Sequence, residues 1–179
     1  IERRETEVSL AEGLKLKKIE RKMAGFGKST PKKTPKQVSK YGPQLLEAAI
    51  KAHNAGDIKS AESLYLNAIK IGFHHEIAFS NLGVIFKSTN RQNEAIAMYK
   101  LAISKNPNLA DVYMNLGNLY SDLGTLDQAL ACTLKSLELK PDHPSALMNL
   151  GSIYKDLGNL DQALACTLKS LELKPDHPS

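Results

Sequence analysis

Tryptophan is absent from the 179 residues, cysteine occurs only twice, and aromatic side chains make up 6% of the chain. Two cysteines cannot build the disulfide framework on which small secreted domains rely. No stretch combines a basic start, an apolar core and a small-residue cleavage site, so a secretory signal is not recognised. Both absences point to a reducing, cytoplasmic setting. No apolar run approaches the roughly 20 residues that a membrane helix needs, which excludes membrane insertion. The scarcity of aromatics leaves no platform on which bases could stack, and nucleic acid is not expected as a partner.

Apolar residues form 42% of the composition, enough for a buried core. Charge is unevenly spread. Residues 1–40 carry 12 Lys/Arg against 5 Asp/Glu, and residues 41–179 carry 12 against 14, so the overall excess of +5 belongs to the N-terminal stretch. Residues 24–41 mix Gly, Pro, Ser and Lys without apolar periodicity and read as a flexible, solubilising basic leader within a segment 1–41. Met23 is a natural start, and residues 1–22 are assigned no function.

Motifs that promise chemistry fail on context. Gly27-Lys28-Ser29-Thr30 looks like the end of a phosphate-binding loop, but the required first glycine is Lys22 and no buried strand precedes it. His74-His75 point apart, while His143 and His177 fall 34 residues from each other, and no carboxylate or thiol stands at ligand spacing; neither metal nor cofactor is expected. Cys132 and Cys166 are separated by the same 34 residues. Equivalent helices one step apart lie about 8–10 Å from each other, beyond disulfide reach, so both are read as small packing residues. No Ser/His/Asp or Cys/His grouping can be given a geometry, and catalysis by these residues is not expected.

What the chain does have is self-similarity. Residues 126–145, LDQALACTLKSLELKPDHPS, recur unchanged at 160–179, a displacement of 34. The same step carries Leu150-Gly151 onto Leu116-Gly117 and Leu82-Gly83, and Ala163 onto Ala129, Ala95 and Ala61. Four repeats follow, at about 42–75, 76–109, 110–143 and 144–177. Within the third, Leu116, Leu119, Tyr120 and Leu123 stand at i, i+3, i+4, i+7, and Leu126, Leu130, Leu134 and Leu137 form a second stripe after Gly124. Two amphipathic helices joined by a glycine turn are predicted. Each hairpin leaves an apolar face that only a neighbour can cover.

These residues resemble the tetratricopeptide repeat: Tyr113, Leu116-Gly117, Tyr120, Ala129 and Pro141 in the third repeat, and Phe79, Leu82-Gly83, Phe86, Ala95, Tyr99, Ala102 and Pro107 in the second. The resemblance implies an all-α, right-handed superhelical solenoid over residues 42–177. Thr133 and Thr167 stand where an aromatic is usual, Ser136 and Ser170 where Ala is usual, and Phe73 where Pro is usual. Slightly looser hairpins are expected from those departures.

Function, on this resemblance, lies on the first helix of each repeat, whose inner face lines a groove. Asn81, Asn115 and Asn149 share the sixth position, and the array is similar to the repeats of O-linked N-acetylglucosamine transferases, in which such asparagines grip a peptide backbone. An amide both donates and accepts, so a row of them suits an extended chain. Further groove positions are Ser80, Val84 and Lys87, then Met114, Asn118 and Asp122, then Met148, Ser152, Lys155 and Asp156. The methionines supply adaptable apolar contact, and few basic residues converge, which argues against acidic tails as ligands. The expected function is a scaffold binding a peptide or protein segment. The alternative is the substrate-recruiting arm of a bacterial sulfotransferase or glycosyltransferase whose catalytic domain lies beyond Ser179. Self-association through open repeat ends is also expected, because the last hairpin lacks a cover.

Overall fold

Eight helices follow one another in the computed structural model, which describes residues 34–173. They are α1 (Pro35–Asn54), α2 (Ile58–Lys70), α3 (Glu76–Ser88), α4 (Gln92–Lys105), α5 (Ala110–Asp122), α6 (Leu126–Leu139), α7 (Pro144–Asp156) and α8 (Leu160–Leu173). Among the described residues there is no strand. The Gly27–Thr30 motif, Met23 and His177 lie outside the described residues.

The helices pair as hairpins α1/α2, α3/α4, α5/α6 and α7/α8, and the second helix of each hairpin packs on the first helix of the next. The result is the all-α solenoid that the 34-residue period requires. Each hairpin turn places one residue in the left-handed region at the same repeat position: Gly56, Asn90, Gly124 and Gly158, with φ of 78, 59, 71 and 81°. Glycine pays no side-chain penalty there, and asparagine is the side chain that tolerates it best. At the third turn, Gly124 N–H donates to the Ser121 carbonyl and Thr125 N–H to that of Tyr120, each at 2.9 Å, so the last carbonyls of α5 are satisfied before α6 begins.

The first helix starts earlier than the leader's composition suggests. Helix α1 begins at Pro35, so residues 35–41, expected to be irregular, add two turns ahead of the repeat's first position, Gly42. The reason is local. Pro35 occupies the first turn, where its missing N–H costs nothing, and Thr34 and Gln37 form a reciprocal capping box: Gln37 N–H donates to Thr34 Oγ1 and Thr34 N–H to Gln37 Oε1. Phe73 fixes the extension from outside. Its ring lies against Gly42, where a β-carbon would collide with it, and stacks on His75 at 5.6 Å. This aromatic therefore fills a space instead of loosening its hairpin.

The core is thickest in the middle. Tyr65, Phe79, Leu82, Ile85, Met98, Tyr99 and Leu119 are fully buried in one cluster running from α2 to α5. The expected looseness at Thr133, Ser136 and Ser170 does not occur. All three are buried, and each hydroxyl has a partner: Ser136 Oγ donates to the Ala110 carbonyl at 2.8 Å and Ser170 Oγ to that of Pro144 at 2.9 Å, each joining the second helix of a hairpin to the start of its first. A satisfied buried hydroxyl costs little, whereas an orphaned one would have loosened the pair.

Candidate peptide-binding groove

The curvature of the array decides which surface is concave. Helices α3 and α5 touch each other, as do α5 and α7, in addition to the contacts between successive hairpins; no comparable contact joins α4 to α6 or α6 to α8. The first helices are thus drawn together on the inner side. On each of them, repeat positions 2, 5, 9 and 12 share one helical face by their spacing of three, four and three. In α3 this face carries Ile77, Ser80, Val84 and Lys87; in α5 Asp111, Met114, Asn118 and Ser121; in α7 Ser145, Met148, Ser152 and Lys155. Every one of these side chains is exposed or half-exposed.

The face is mixed in character. Val84, Ile77 and Met148 offer exposed apolar surface, Met148 at 48%. Asn118 sets its amide nitrogen 3.3 Å from the Met114 sulfur one turn back. Lys87 and Asp122 form an ion pair at 3.0 Å across the α3–α5 junction and so neutralise each other in the middle of the groove. Asp156 and Lys155 are exposed at its end.

The sixth-position asparagines have a different surrounding from the one the sequence suggested. Asn81 donates from Nδ2 to the Tyr65 hydroxyl at 2.7 Å, and Asn149 donates from Nδ2 to Thr133 Oγ1 at 3.2 Å. Both bonds cross from the first helix of a hairpin to the second helix of the hairpin before it, sixteen residues back. Asn149 is only 8% exposed and is turned between hairpins, not into the groove. Asn115 has no such tie and is half-exposed. Its counterpart sixteen residues back, Tyr99, lays its ring on Gly83 instead. The row is therefore two inter-hairpin ties flanking one free amide.

Two further ties escaped the sequence reading. Arg91 grips Glu62 with both guanidinium ends, at 2.8 and 2.6 Å, while its plane sits 4.2 Å from the Phe86 ring centre; the acceptor belongs to the preceding hairpin. His143, buried at the entrance to α7, places Nε2 2.9 Å from Asp111 Oδ1. Their signal was present as polar complementarity 29 and 32 residues apart, but no period marks it, since neither pair recurs.

Among the described residues no group of three His, Cys, Asp or Glu side chains could hold a metal ion. Burial pushes the Cys132 thiol up to about 11 and raises that of Cys166 as well, which leaves both protonated and poorly nucleophilic near neutral pH. No helix of the described residues is long and apolar enough to cross a membrane.

Comparison with known proteins agrees with this architecture. A TPR repeat model matches residues 83–124, and a tetratricopeptide repeat model matches residues 110–143 and 144–177. No curated protein sequence matches significantly. Among solved structures, MamA superposes with a TM-score of 0.69 at 25% identity, over 75% of this chain and 78% of its own. A tetratricopeptide repeat protein from Parabacteroides merdae gives 0.67 at 26% identity, over 77% and 55%. YrrB, described as a TPR protein with an unusual peptide-binding site, gives 0.67 at 24% identity, over 78% and 72%. Since the repeat models together span residues 83–177, more than half of the sequence, and the remaining hairpins stack in the same register, the chain belongs to the tetratricopeptide repeat family.

Proposed function

We infer that this chain is a protein-interaction scaffold that holds an extended segment of another polypeptide along the face lined by α3, α5 and α7. One observation carries the reading. At repeat positions 5, 9 and 12 every side chain on these helices stays exposed or half-exposed, while positions 7, 8 and 10 between them are buried in the solenoid. A continuous, mixed, solvent-open row on the inner side of a curved array is the surface with which repeat proteins bind partners.

The contacts assigned to it are Val84, Lys87, Met114, Asn118, Met148, Ser152 and Lys155, with Asn115 as the amide free to meet a backbone. Asn81 contributes its carbonyl oxygen while its nitrogen remains bonded to Tyr65. Asn149 belongs to the framework and not to the contact surface. The Lys87–Asp122 pair lowers the net field of the groove, so the ligand need not be strongly charged and is selected by apolar side chains between backbone contacts.

A peptide selected from a displayed random library on the whole chain tests this. Replacing Met114, Asn118 and Ser152 together with Glu adds three charges to the open face without touching the core. Affinity for the selected peptide should fall by about tenfold or more, equivalent to at least about 1.4 kcal/mol, with the helical circular dichroism unchanged. Equal affinity of parent and variant would remove the groove as the binding surface.

A further inference from the structure

Among the described residues, Met98 is fully buried, whereas Met114 and Met148 lie open on the inner face, at the fifth position of α5 and of α7. Ser80 holds the same position on α3 and is half-exposed. The row formed by these three side chains is uncharged, and so is its surrounding. Toward the C-terminal ends of the helices Lys87 and Asp122 neutralise each other at 3.0 Å, and toward the N-terminal ends Asp111 is engaged by His143 at 2.9 Å. Between these pairs stand the amides of Asn115 and Asn118 and the hydroxyl of Ser152, all exposed or half-exposed. Such a face complements an uncharged segment, since a lone charge laid against it would lose its water without gaining a counter-charge.

The step from one fifth position to the next selects the shape of what lies across them. Helix α5 comes within 8 Å of both α3 and α7 between Cα atoms, and packed helices stand about 8–10 Å apart from axis to axis. In a β-strand the side chains on one side recur after two residues, about 6.7 Å, and then after four, about 13 Å; neither fits the step. In a polyproline II helix three residues make one turn at about 3.1 Å each, so every third side chain returns to the same side after about 9 Å. An α-helix laid along the row would bring residue i+7 to a similar distance, about 10.5 Å. Its backbone groups, however, are bonded to one another, which leaves Asn115, Asn118 and Ser152 no main chain to meet. The polyproline II backbone has no internal hydrogen bonds and offers every N–H and C=O to them.

We propose that the inner face reads a segment in the polyproline II conformation that carries two bulky apolar side chains three residues apart, one against Met114 and one against Met148, with a small or polar residue a further three away over Ser80. The inference rests on the inner face being the binding surface and adds the register and conformation of the ligand. Methionine side chains adapt to different apolar shapes, so the spacing is strict while the identity of the two apolar residues is loose. The conformation is one that unfolded chains already populate, which keeps the ordering cost of binding low.

Selection from a displayed library of random dodecapeptides on the 179-residue chain tests the proposal when it is run in parallel on the parent, on Ser80→Met and on Met148→Ser, each with the parent's helical circular dichroism. In the parent pool, pairs of apolar residues at a spacing of three should outnumber those at two or four by about tenfold, the effect of one lost apolar contact on affinity. Ser80→Met should add a third apolar residue three positions beyond the pair, and Met148→Ser should abolish the pair's enrichment. Recapture of the parent pool by a chain carrying Met114→Glu, Asn118→Glu and Ser152→Glu together separates the two levels of the reading. A pool that this variant no longer captures, but whose apolar residues stand two, four or seven apart, keeps the inner face as the binding surface and overturns the register. An unchanged pattern with Ser80→Met also overturns the register. A pool captured equally by the variant and the parent, or a parent that enriches no peptide, overturns the inner face and the register with it.

Discussion

Asn81 shows how a side chain can be prominent in a sequence for one reason and be used by the fold for another. Its amide donates to the Tyr65 hydroxyl across the boundary between the first two hairpins, and Asn149 does the same to Thr133 between the last two. A net contribution of about 1 kcal/mol is typical for such a bond. Replacing Asn81 with Ala should lower the urea midpoint by a corresponding amount with the slope unchanged, whereas Asn115→Ala, which removes no tie, should stay within about 0.5 kcal/mol of the parent. Equal losses at the two sites would mean that the position matters for a reason other than the inter-hairpin bond. The sequence displayed the asparagines clearly because they recur every 34 residues. The residues sixteen positions earlier were as periodic, Tyr65, Tyr99 and Thr133, of which Tyr65 and Thr133 accept, but a link between the second helix of one hairpin and the first helix of the next is invisible until the stacking is known. The same holds for Arg91 with Glu62, whose pairing depends on two elements meeting once.

At the scale of helices, the glycine in the middle of α3, α5 and α7 was readable as a place of close approach, and it is one. A β-carbon at Gly83 would overlap the ring of Tyr99, which is fully buried and has nowhere to retreat. Gly151 faces a smaller neighbour, with the would-be β-carbon 3.0 Å from Thr167 Oγ1 and 3.2 Å from the Ala163 carbonyl. Alanine in a helix is intrinsically better than glycine by about 1 kcal/mol, while overpacking a tight core costs about 1–3 kcal/mol. Thermal unfolding of Gly83→Ala should therefore occur several degrees below that of the parent, and Gly151→Ala should sit much closer to it. A stabilised Gly83→Ala protein would show that the Tyr99 ring is free to shift. The early start of α1 was the element-scale feature that composition hid. Lys, Pro and Gly dominate residues 31–43, and only the spacing of Thr34, Pro35 and Gln37, three residues in a helix-starting order, carried the information.

At the scale of the whole molecule, the duplicated segment supplies an internal control for how a solenoid distributes its stability. Residues 126–139 and 160–173 are chemically identical, so their unfolded amides exchange with solvent at matching intrinsic rates, and any difference in protection measures what covers each helix. Among the described residues, helix α6 is flanked by hairpins on both sides, while α8 has a neighbour on one side only and contributes a single buried residue. In an array whose stability is a sum of hairpin and interface contributions, the end unit that lacks an interface opens first. At low protein concentration, amides of α8 should exchange about tenfold faster or more than their twins in α6, which corresponds to at least about 1.4 kcal/mol of local stability. Peptides that begin at Thr125 and at Asn159 tell the two copies apart by mass. Equal protection of both copies under dilute conditions would mean that the second flanking hairpin adds nothing to the stability of α6.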